Sequence, residues 1–167
     1  MSLHAAEPAA PRPSVLDVVE RVAAANGWPF ERRDDDEIAA EVPGEGAAYQ
    51  LWFAWDGAHD ALHFSCLFPL RVPEARRGLV YRLLALVNRR LWLGHFDYWP
   101  EDGMAAFRQT LPLRGAGALA AEQVEDMVGE AHTACERFYP AFQYLIWAGR
   151  SPEEALAAAL METVGAA

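Results

Sequence analysis

Two histidines come nearest to a metal-binding pattern in this sequence. His59 and His63 are four residues apart, and on a helix that spacing would let two imidazoles bind one zinc ion. Here they follow the turn dipeptide Asp56-Gly57 and enter an alternating, strand-like segment, in which this spacing does not bring the rings together in the same way. No acid or cysteine lies at a complementary spacing. The sequence therefore predicts no metal site.

A second pair of reactive residue types, His95 and Asp97, alternates onto one face of a predicted strand. Together with His63 they could support an unfamiliar enzyme chemistry if their side chains converged within hydrogen-bonding distance. A pair does not make a catalytic triad, and the chain has neither a G-x-S-x-G motif nor a glycine-rich nucleotide-binding turn. We therefore predict that the chain is not an enzyme and binds no cofactor.

The charge composition excludes several classes of function. Fourteen basic and 24 acidic residues give a net charge of −10, which opposes binding to nucleic acid and to anionic membranes. Every basic residue is an arginine. Without lysine the chain cannot form a Schiff base, nor can it supply the lysine of a Walker A phosphate loop, so two large enzyme classes are excluded.

The cysteines and the N-terminal segment bear on cellular location. Cys66 and Cys135 are far apart in sequence, which favours two reduced, buried thiols, with a disulfide between them as the alternative. Residues 1–13 lack the basic and apolar regions of a signal peptide, and their composition is typical of a disordered lead. No apolar run approaches the roughly 18–20 residues that cross a bilayer. We predict a cytoplasmic protein.

Apolar periodicity and turn signals predict the elements of the first half of the chain. A helix follows Ser14 and ends at Gly27, and two strands joined by the acidic turn 34–36 come next. The clearest β-hairpin consists of residues 48–55 and 61–68. Alternate residues of this hairpin form the predicted sheet core: Tyr49, Leu51, Phe53, Trp55, Leu62, Phe64, Cys66 and Phe68.

The second half predicts a helix from Pro73 to about Leu93, a hairpin at 95–99 and 104–111, and two further helices. The first of these has an apolar face at heptad spacing and contains Pro140, where we expect a kink or break. In the last helix the predicted buried stripe is Leu156, Leu160, Met161 and Val164. The predicted fold is a single α+β domain over residues 14–165, an antiparallel sheet of about five to six strands packed against helices in the order α-ββββ-α-ββ-α-α.

Two sets of residues are predicted contact surfaces. Trp52 and His63 point away from the predicted sheet core, and Trp99 ends a later strand; such aromatics are either covered by another element or lie at the centre of an interface. The other set is a basic patch in an acidic chain, formed by Arg76, Arg82, Arg89 and Arg90. Ion pairs with the protein's own acids are the alternative to an anionic partner or self-association at this patch.

The order of the elements resembles that of the YbjN-like family, over residues 14–160. The motifs that carry the resemblance are Leu-Val-Asn-Arg-Arg-Leu at 86–91, Gly-His-Phe at 94–96, Phe-Arg at 107–108, Leu-Pro-Leu at 111–113, Tyr-Pro-Ala at 139–141 and Ser-Pro-Glu-Glu-Ala-Leu at 151–156. Members of this family are described as bacterial sensory-transduction regulators. The resemblance implies a fold similar to that of type III secretion chaperones, which commonly pair into dimers, and it implies no catalytic residues.

Residues and resemblance together predict a non-enzymatic interaction module, acting as a homodimer, that holds a segment of a partner protein. Its contact surface is predicted on the sheet face carrying Trp52, His63 and Trp99, or on the helix spanning residues 76–90. The alternative function is a small-molecule sensor, which requires an apolar pocket between sheet and helices.

Overall fold

The computed structural model describes residues 14–165, so the predicted disordered lead at 1–13 lies outside the described residues. The elements follow the predicted order, with a 3₁₀ turn at Glu74–Arg76 before the second helix. They are α1 (Val15–Asn26), β1 (Phe30–Arg32), β2 (Glu37–Pro43), β3 (Ala48–Asp56), β4 (Ala61–Arg71), α2 (Arg77–Asn88), β5 (His95–Trp99), β6 (Met104–Pro112), α3 (Ala121–Trp147) and α4 (Pro152–Gly165).

The six strands form one antiparallel sheet in the order β1-β2-β3-β4-β6-β5. The predicted hairpin of β3 and β4 is confirmed, and its strands pair from Asp56 and Ala61 around the four-residue loop 57–60. Because β6 pairs with β4, the C-terminal hairpin extends the sheet and leaves β1 and β5 as its edges.

The predicted sheet core is confirmed. Its members alternate along β3 and β4 and are fully buried except for Trp55, which is half-buried at the end of β3. Phe68 lies at the centre of the aromatic packing, 4.8 Å from the ring of Tyr139 and 5.1 Å from that of Phe142, both on α3. These contacts between sheet and helix exclude water from the largest apolar surfaces of the chain, which is the main source of stability.

The apolar face of α3 is also confirmed. Its heptad-spaced residues are buried from Val124 to Leu145, and the helix continues through Pro140 without the break that was a predicted alternative. Proline removes one backbone hydrogen bond, but the buried Phe138 and Phe142 on either side hold the helix against the sheet. None of the described helices is long and apolar enough to cross a membrane.

The predicted end of α2 at Leu93 is wrong, since the helix ends at Asn88. The side chain of Asn88 accepts a hydrogen bond of 2.7 Å from the Phe96 backbone N–H and donates one of 2.9 Å to the Phe96 carbonyl. This pair of bonds draws the chain from the helix into β5. The apolar residues 91–93, which looked like a further helical turn, form the connection instead.

The predicted buried stripe of α4 is wrong for two of its four residues. Met161 and Val164 are 75% and 78% exposed, whereas Leu156 is buried and Leu160 half-buried. The helix packs against α3 and α2 through a narrower face that consists of Pro152, Ala155, Leu156 and Ala159. Small residues at this face allow a close approach between helices, and the larger apolar side chains point outward.

Cys66 and Cys135 are free, buried thiols, as predicted. Although distant in sequence, they meet where β4 packs on α3, with a Sγ–Sγ distance of 3.6 Å. The hydrogen bond to Cys66 and burial raise the pKa of the Cys135 thiol, so this thiol stays protonated and unreactive.

Candidate partner-binding surface

One face of the sheet carries no helix among the described residues. The side chains that meet the helices all come from the other face, for example Phe68, Phe96 and Tyr98. We call the uncovered side the open face and define it by three rows of cross-strand neighbours. The middle row is Ala39, Trp52, Ser65, Arg108 and His95. The rows on either side of it are Glu41, Gln50, Leu67, Ala106 and Asp97, and Glu37, Ala54, His63 and Thr110. Trp99 continues it at the end of β5.

Trp52 lies in the middle row of the open face and is half-buried. Its neighbour Ser65 is only 8% exposed, although no helix covers it, because Trp52 and Arg108 flank it on the adjacent strands. The indole therefore lies against the sheet with its outer side in solvent. Sequence periodicity predicts the face on which Trp52 lies; that this face is uncovered follows only from the tertiary structure.

Trp99 is joined to the same face through Arg108, a residue that sequence reasoning did not select. The guanidinium carbon of Arg108 lies 5.8 Å from the centre of the Trp99 ring, and its Nη1 donates a hydrogen bond of 2.9 Å to Asp97. The side chains of Arg108 and Asp97 are 39% and 38% exposed. Arg108 thus combines an ion pair with a cation–π contact and connects the two tryptophans along the sheet.

His59 and His63 do meet a common carboxylate, contrary to the interpretation of their spacing. Asp56 Oδ2 lies 2.7 Å from His59 Nδ1 and 3.4 Å from His63 Nε2, because the hairpin turn folds Asp56 back over the start of β4. The hydrogen bond with His59 is the main reason that the Asp56 pKa falls to about 2. No cluster within residues 14–165 has the ligands for a metal ion.

The residues of the enzyme hypothesis have separate partners. His63 Nδ1 lies 2.9 Å from Thr110 Oγ1, Asp97 pairs with Arg108, and His95 lies on the edge strand. No hydrogen bond joins His63, His95 and Asp97 to one another in the described part of the chain. These three side chains therefore do not converge within hydrogen-bonding distance, as the enzyme hypothesis requires.

The arginines of the predicted basic patch differ in their contacts, and some of them bind other groups of the protein. Arg82 forms an ion pair with Glu153 of α4, and Arg90 Nη1 donates a hydrogen bond of 2.6 Å to the Leu86 carbonyl. Arg76 is half-buried beside the turn between α3 and α4, and Arg89 is exposed. The alternative of ion pairing within the protein thus holds for Arg82, while Arg89 remains available to a partner.

The edges of the sheet are poor sites for an additional strand. At β5, Asn88 occupies the outward N–H and carbonyl of Phe96, and Arg77 binds the carbonyl of Pro100. At the other edge, β1 has only three residues. Short or capped edges hinder pairing with another chain.

A polar cluster anchors the β2–β3 turn to α3. The Tyr49 hydroxyl donates a hydrogen bond of 2.7 Å to Glu136 Oε1, which also accepts one of 3.0 Å from the Glu45 N–H. His132 Nε2 lies 2.9 Å from the Pro43 carbonyl oxygen. Tyr49 is 1% exposed, so the cluster satisfies a buried hydroxyl at the rim of the core.

We expect Tyr49 to make the protein sensitive to alkali. Its burial, followed by the hydrogen bond to Glu136, raises its pKa above the ordinary value of 10.0. Because the folded state then holds the proton more tightly than the unfolded chain, this stabilisation is complete below about pH 10 and is lost as the pH rises further. The free energy of unfolding should fall by at most about 1.4 kcal/mol per pH unit for one proton.

Urea unfolding between pH 8 and 11 measures this loss. The Tyr49→Phe variant should show a shallower decline, with a remainder from Tyr139, whose pKa is also raised by burial. Equal slopes for the variant and the parent protein would contradict the assignment.

Two grooves of the described surface border α3. One of about 640 Å³ runs between the end of α1, β2 and α3, and one of about 460 Å³ lies between α3 and α4. Both include charged residues, Glu125 in the first and Glu136 in the second. Between sheet and helices the space is filled by the buried core. The alternative function as a small-molecule sensor therefore stays a prediction, and no apolar pocket between sheet and helices supports it among the described residues.

The fold is an α+β domain with helices on one side of its sheet, and it is similar to the fold of secretion chaperones, as predicted. The chain belongs to the YbjN family, described as "Putative bacterial sensory transduction regulator", which it matches over residues 16–144. No curated protein sequence matches it.

Among the solved structures to which the chain is similar, two have a TM-score above 0.5 and share its fold. YbjN from E. coli, described as "a putative transcription regulator", is 14% identical with a TM-score of 0.52, over 73% of this chain and 85% of that one. ExsC in the ExsC–ExsE complex is 16% identical with a TM-score of 0.52, over 72% and 87%. The HopA1–SchA chaperone–effector complex gives 15% identity and a TM-score of 0.45, over 70% and 87%.

Proposed function

We propose that this chain is a non-enzymatic regulatory protein that binds a segment of a partner protein across the open face of its sheet. The observation that carries the proposal is an uncovered sheet face with Trp52 at its centre and Trp99 at one end. Aromatic side chains surrounded by polar groups are the usual composition of an interface. Binding of ExsE by ExsC, which shares the fold, supports this mode of action.

The charges of the open face indicate the chemistry of the bound segment. On the β1–β2 side of the open face the charged side chains are acidic: Glu37 and Glu41 lie on β2 next to Trp52 of β3, Glu31 lies on β1 and pairs with Arg33, and the acidic turn 34–36 ends the hairpin. Apolar surface continues at Leu67, which is half-buried, whereas its cross-strand neighbour Ala106 is fully buried. We therefore propose a partner segment with apolar side chains for Trp52 and basic side chains for the β1–β2 side.

The proposed setting is the cytoplasm, since two buried cysteines without a disulfide are typical of proteins in a reducing compartment. We also propose that the protein acts as a homodimer. The contact surface is assigned to Trp52, His63 and Trp99 in preference to the helix with Arg76, because that helix already uses Arg82 to bind α4.

Trp52→Ala is expected to weaken partner binding strongly with little loss of stability. Removal of a central interface tryptophan costs about 2 kcal/mol or more, which is about thirtyfold in the dissociation constant. The partner is found first by placing a photo-crosslinking amino acid at position 52 in the native host and identifying the crosslinked segment. A synthetic peptide of that segment is then titrated against the parent protein and the variant.

Trp92 provides the matched control, because it is 79% exposed but lies in the α2–β5 connection. A crosslinker at position 92 should capture no such segment, and Trp92→Ala should bind the peptide as the parent does. Capture at both positions alike, or equal affinity of the Trp52 variant, would count against the open face.

A further inference from the structure

A groove at one end of the sheet begins where the described chain begins. It has a volume of about 520 Å³ and lies between α1, the end of β3 and the loop that follows β6. Its apolar lining includes Val15, Trp55 and Leu113, each of them half-buried. Trp55 shares the inward face of β3 and Val15 lies on α1, so this groove is on the helix side of the sheet and separate from the open face.

The groove carries two charged side chains of opposite sign. Asp60 and Arg114 both line it and are exposed, and neither side chain has a hydrogen-bond or ion-pair partner within residues 14–165. The carboxylate of Asp60 is therefore available to a basic group, beside walls that are otherwise apolar. A segment that fits this groove must combine apolar groups with charges opposite to these two.

The residues that precede Ser14 have this chemistry. Residues 7–13 read Glu-Pro-Ala-Ala-Pro-Arg-Pro, with one acid, one base and three prolines. Proline fixes φ at about −65° and restricts the residue before it to an extended backbone, so this sequence favours polyproline II. Ser14 itself has φ −61° and ψ 156°, which are polyproline II values. Such a segment needs no core of its own, and it binds aromatic-lined grooves with a small loss of entropy.

We propose that this groove binds residues 7–13 of the same chain in polyproline II form, with the prolines against Trp55 and Arg12 beside Asp60. The segment is joined to the groove at its end, so binding needs no intervening linker and benefits from a high effective concentration. The site is an internal docking surface at the rim of the core. It leaves the open face free, and so it goes beyond the proposed function and does not depend on it.

The reach of the segment agrees with the position of the groove. Polyproline II rises about 3.1 Å per residue with about three residues per turn, so Pro8 and Pro11 lie on the same edge of the segment. In this form Pro11 lies about 9 Å and Pro8 about 19 Å from Ser14. The lining of the groove starts at Val15, directly after Ser14, so both prolines can follow the same apolar wall.

The first test is nuclear magnetic resonance of the full chain. We expect nuclear Overhauser contacts between the ring protons of Pro11 and the indole of Trp55, which require close approach and do not arise from tethering alone. We also expect order parameters at Ala9 and Ala10 near the value of about 0.85 for rigid backbone. Values below about 0.6 at these alanines, or no contact between Pro11 and Trp55, would overturn the proposal.

Asp60→Asn tests the proposed pairing with Arg12. Asparagine keeps the shape and tolerates the φ of +48° at this position, but it removes the charge. An exposed ion pair contributes up to about fivefold to such an equilibrium, so the population of the undocked segment should rise by up to about fivefold. Relaxation dispersion at Ala9 and Ala10 measures that population.

Asp102→Asn is the matched control, because Asp102 is an exposed acid in the β5–β6 turn at the opposite end of the sheet. It should leave the undocked population as in the parent protein. Equal populations in the two variants would overturn the pairing of Arg12 with Asp60. Neither measurement involves Trp52, so a failed internal docking site and a failed partner site give different results.

Discussion

Replacing Gly94 by alanine is expected to destabilise the protein by about 2–4 kcal/mol. Gly94 has a φ of +68°, which costs an L-residue roughly 1–2 kcal/mol. It also lies against β6, where a Cβ would overlap the ring of Phe107 and lie 2.8 Å from the carbonyl oxygen of Arg108. Both groups belong to β6, which is paired on both sides, and Phe107 is buried, so neither can move freely and strain adds to the backbone cost.

A comparison with Gly27 separates the cost of the backbone conformation from the cost of the steric contact with β6. Its φ of +70° is nearly the same, but a Cβ there would meet nothing within 4 Å. Gly27→Ala should therefore cost only about 1 kcal/mol, the backbone part alone. Urea unfolding of both variants measures the difference. Equal losses would show that the contact of Gly94 with β6 adds nothing.

Phe68→Ala is expected to cost about 3–5 kcal/mol, a large part of the roughly 5–15 kcal/mol that stabilises a domain of this kind. The Phe68 side chain is fully buried and packs on rings from β5 and α3, with centroid distances of 4.8 Å to Tyr139, 5.1 Å to Phe142 and 6.0 Å to Phe96. Its removal leaves a cavity where strand and helix meet. Phe68→Leu should recover about half of the loss, since it refills part of that space.

Trp52 lies on the opposite face of the same sheet, and Trp52→Ala serves as the control. Although tryptophan is the larger side chain, the variant should lose only about 1 kcal/mol, because its outer side is already in solvent. Thermal and urea unfolding give both values. A loss for Trp52 as large as that for Phe68 would mean that Trp52 is a core residue and would remove the basis for the partner-binding face.

The two faces of the sheet differ in what their side chains contact. The inward face of the sheet binds the helices and supplies the stability, as the aromatic contacts of Phe68 show. The outward face retains Trp52, Trp99 and Arg108 in solvent, where side chains contribute little to folding. A regulator that binds a protein segment needs such an arrangement, because a surface that is half-exposed before binding can be buried afterwards.

The sequence by itself determined the elements whose signals are local and repetitive. Alternation along 48–68 predicts which residues of β3 and β4 are buried, and the turn signal Asp56-Gly57 predicts that the two strands form a hairpin. Heptad spacing predicts the buried face of α3 through Phe138 and Phe142. Such patterns are reliable because a helix or strand buries one side of a regular repeat, whatever its partner is.

The tertiary structure alone decided features that depend on contacts between distant residues. α2 ends at Asn88 because that side chain binds Phe96 of β5, and two histidines meet because a turn brings Asp56 to both. In α4 the small residues pack inward and Met161 outward, since periodicity shows two apolar faces without showing which one a neighbour covers. Whether Trp52 lies beneath a helix or in solvent depends likewise on where all the helices pack, which no local pattern contains.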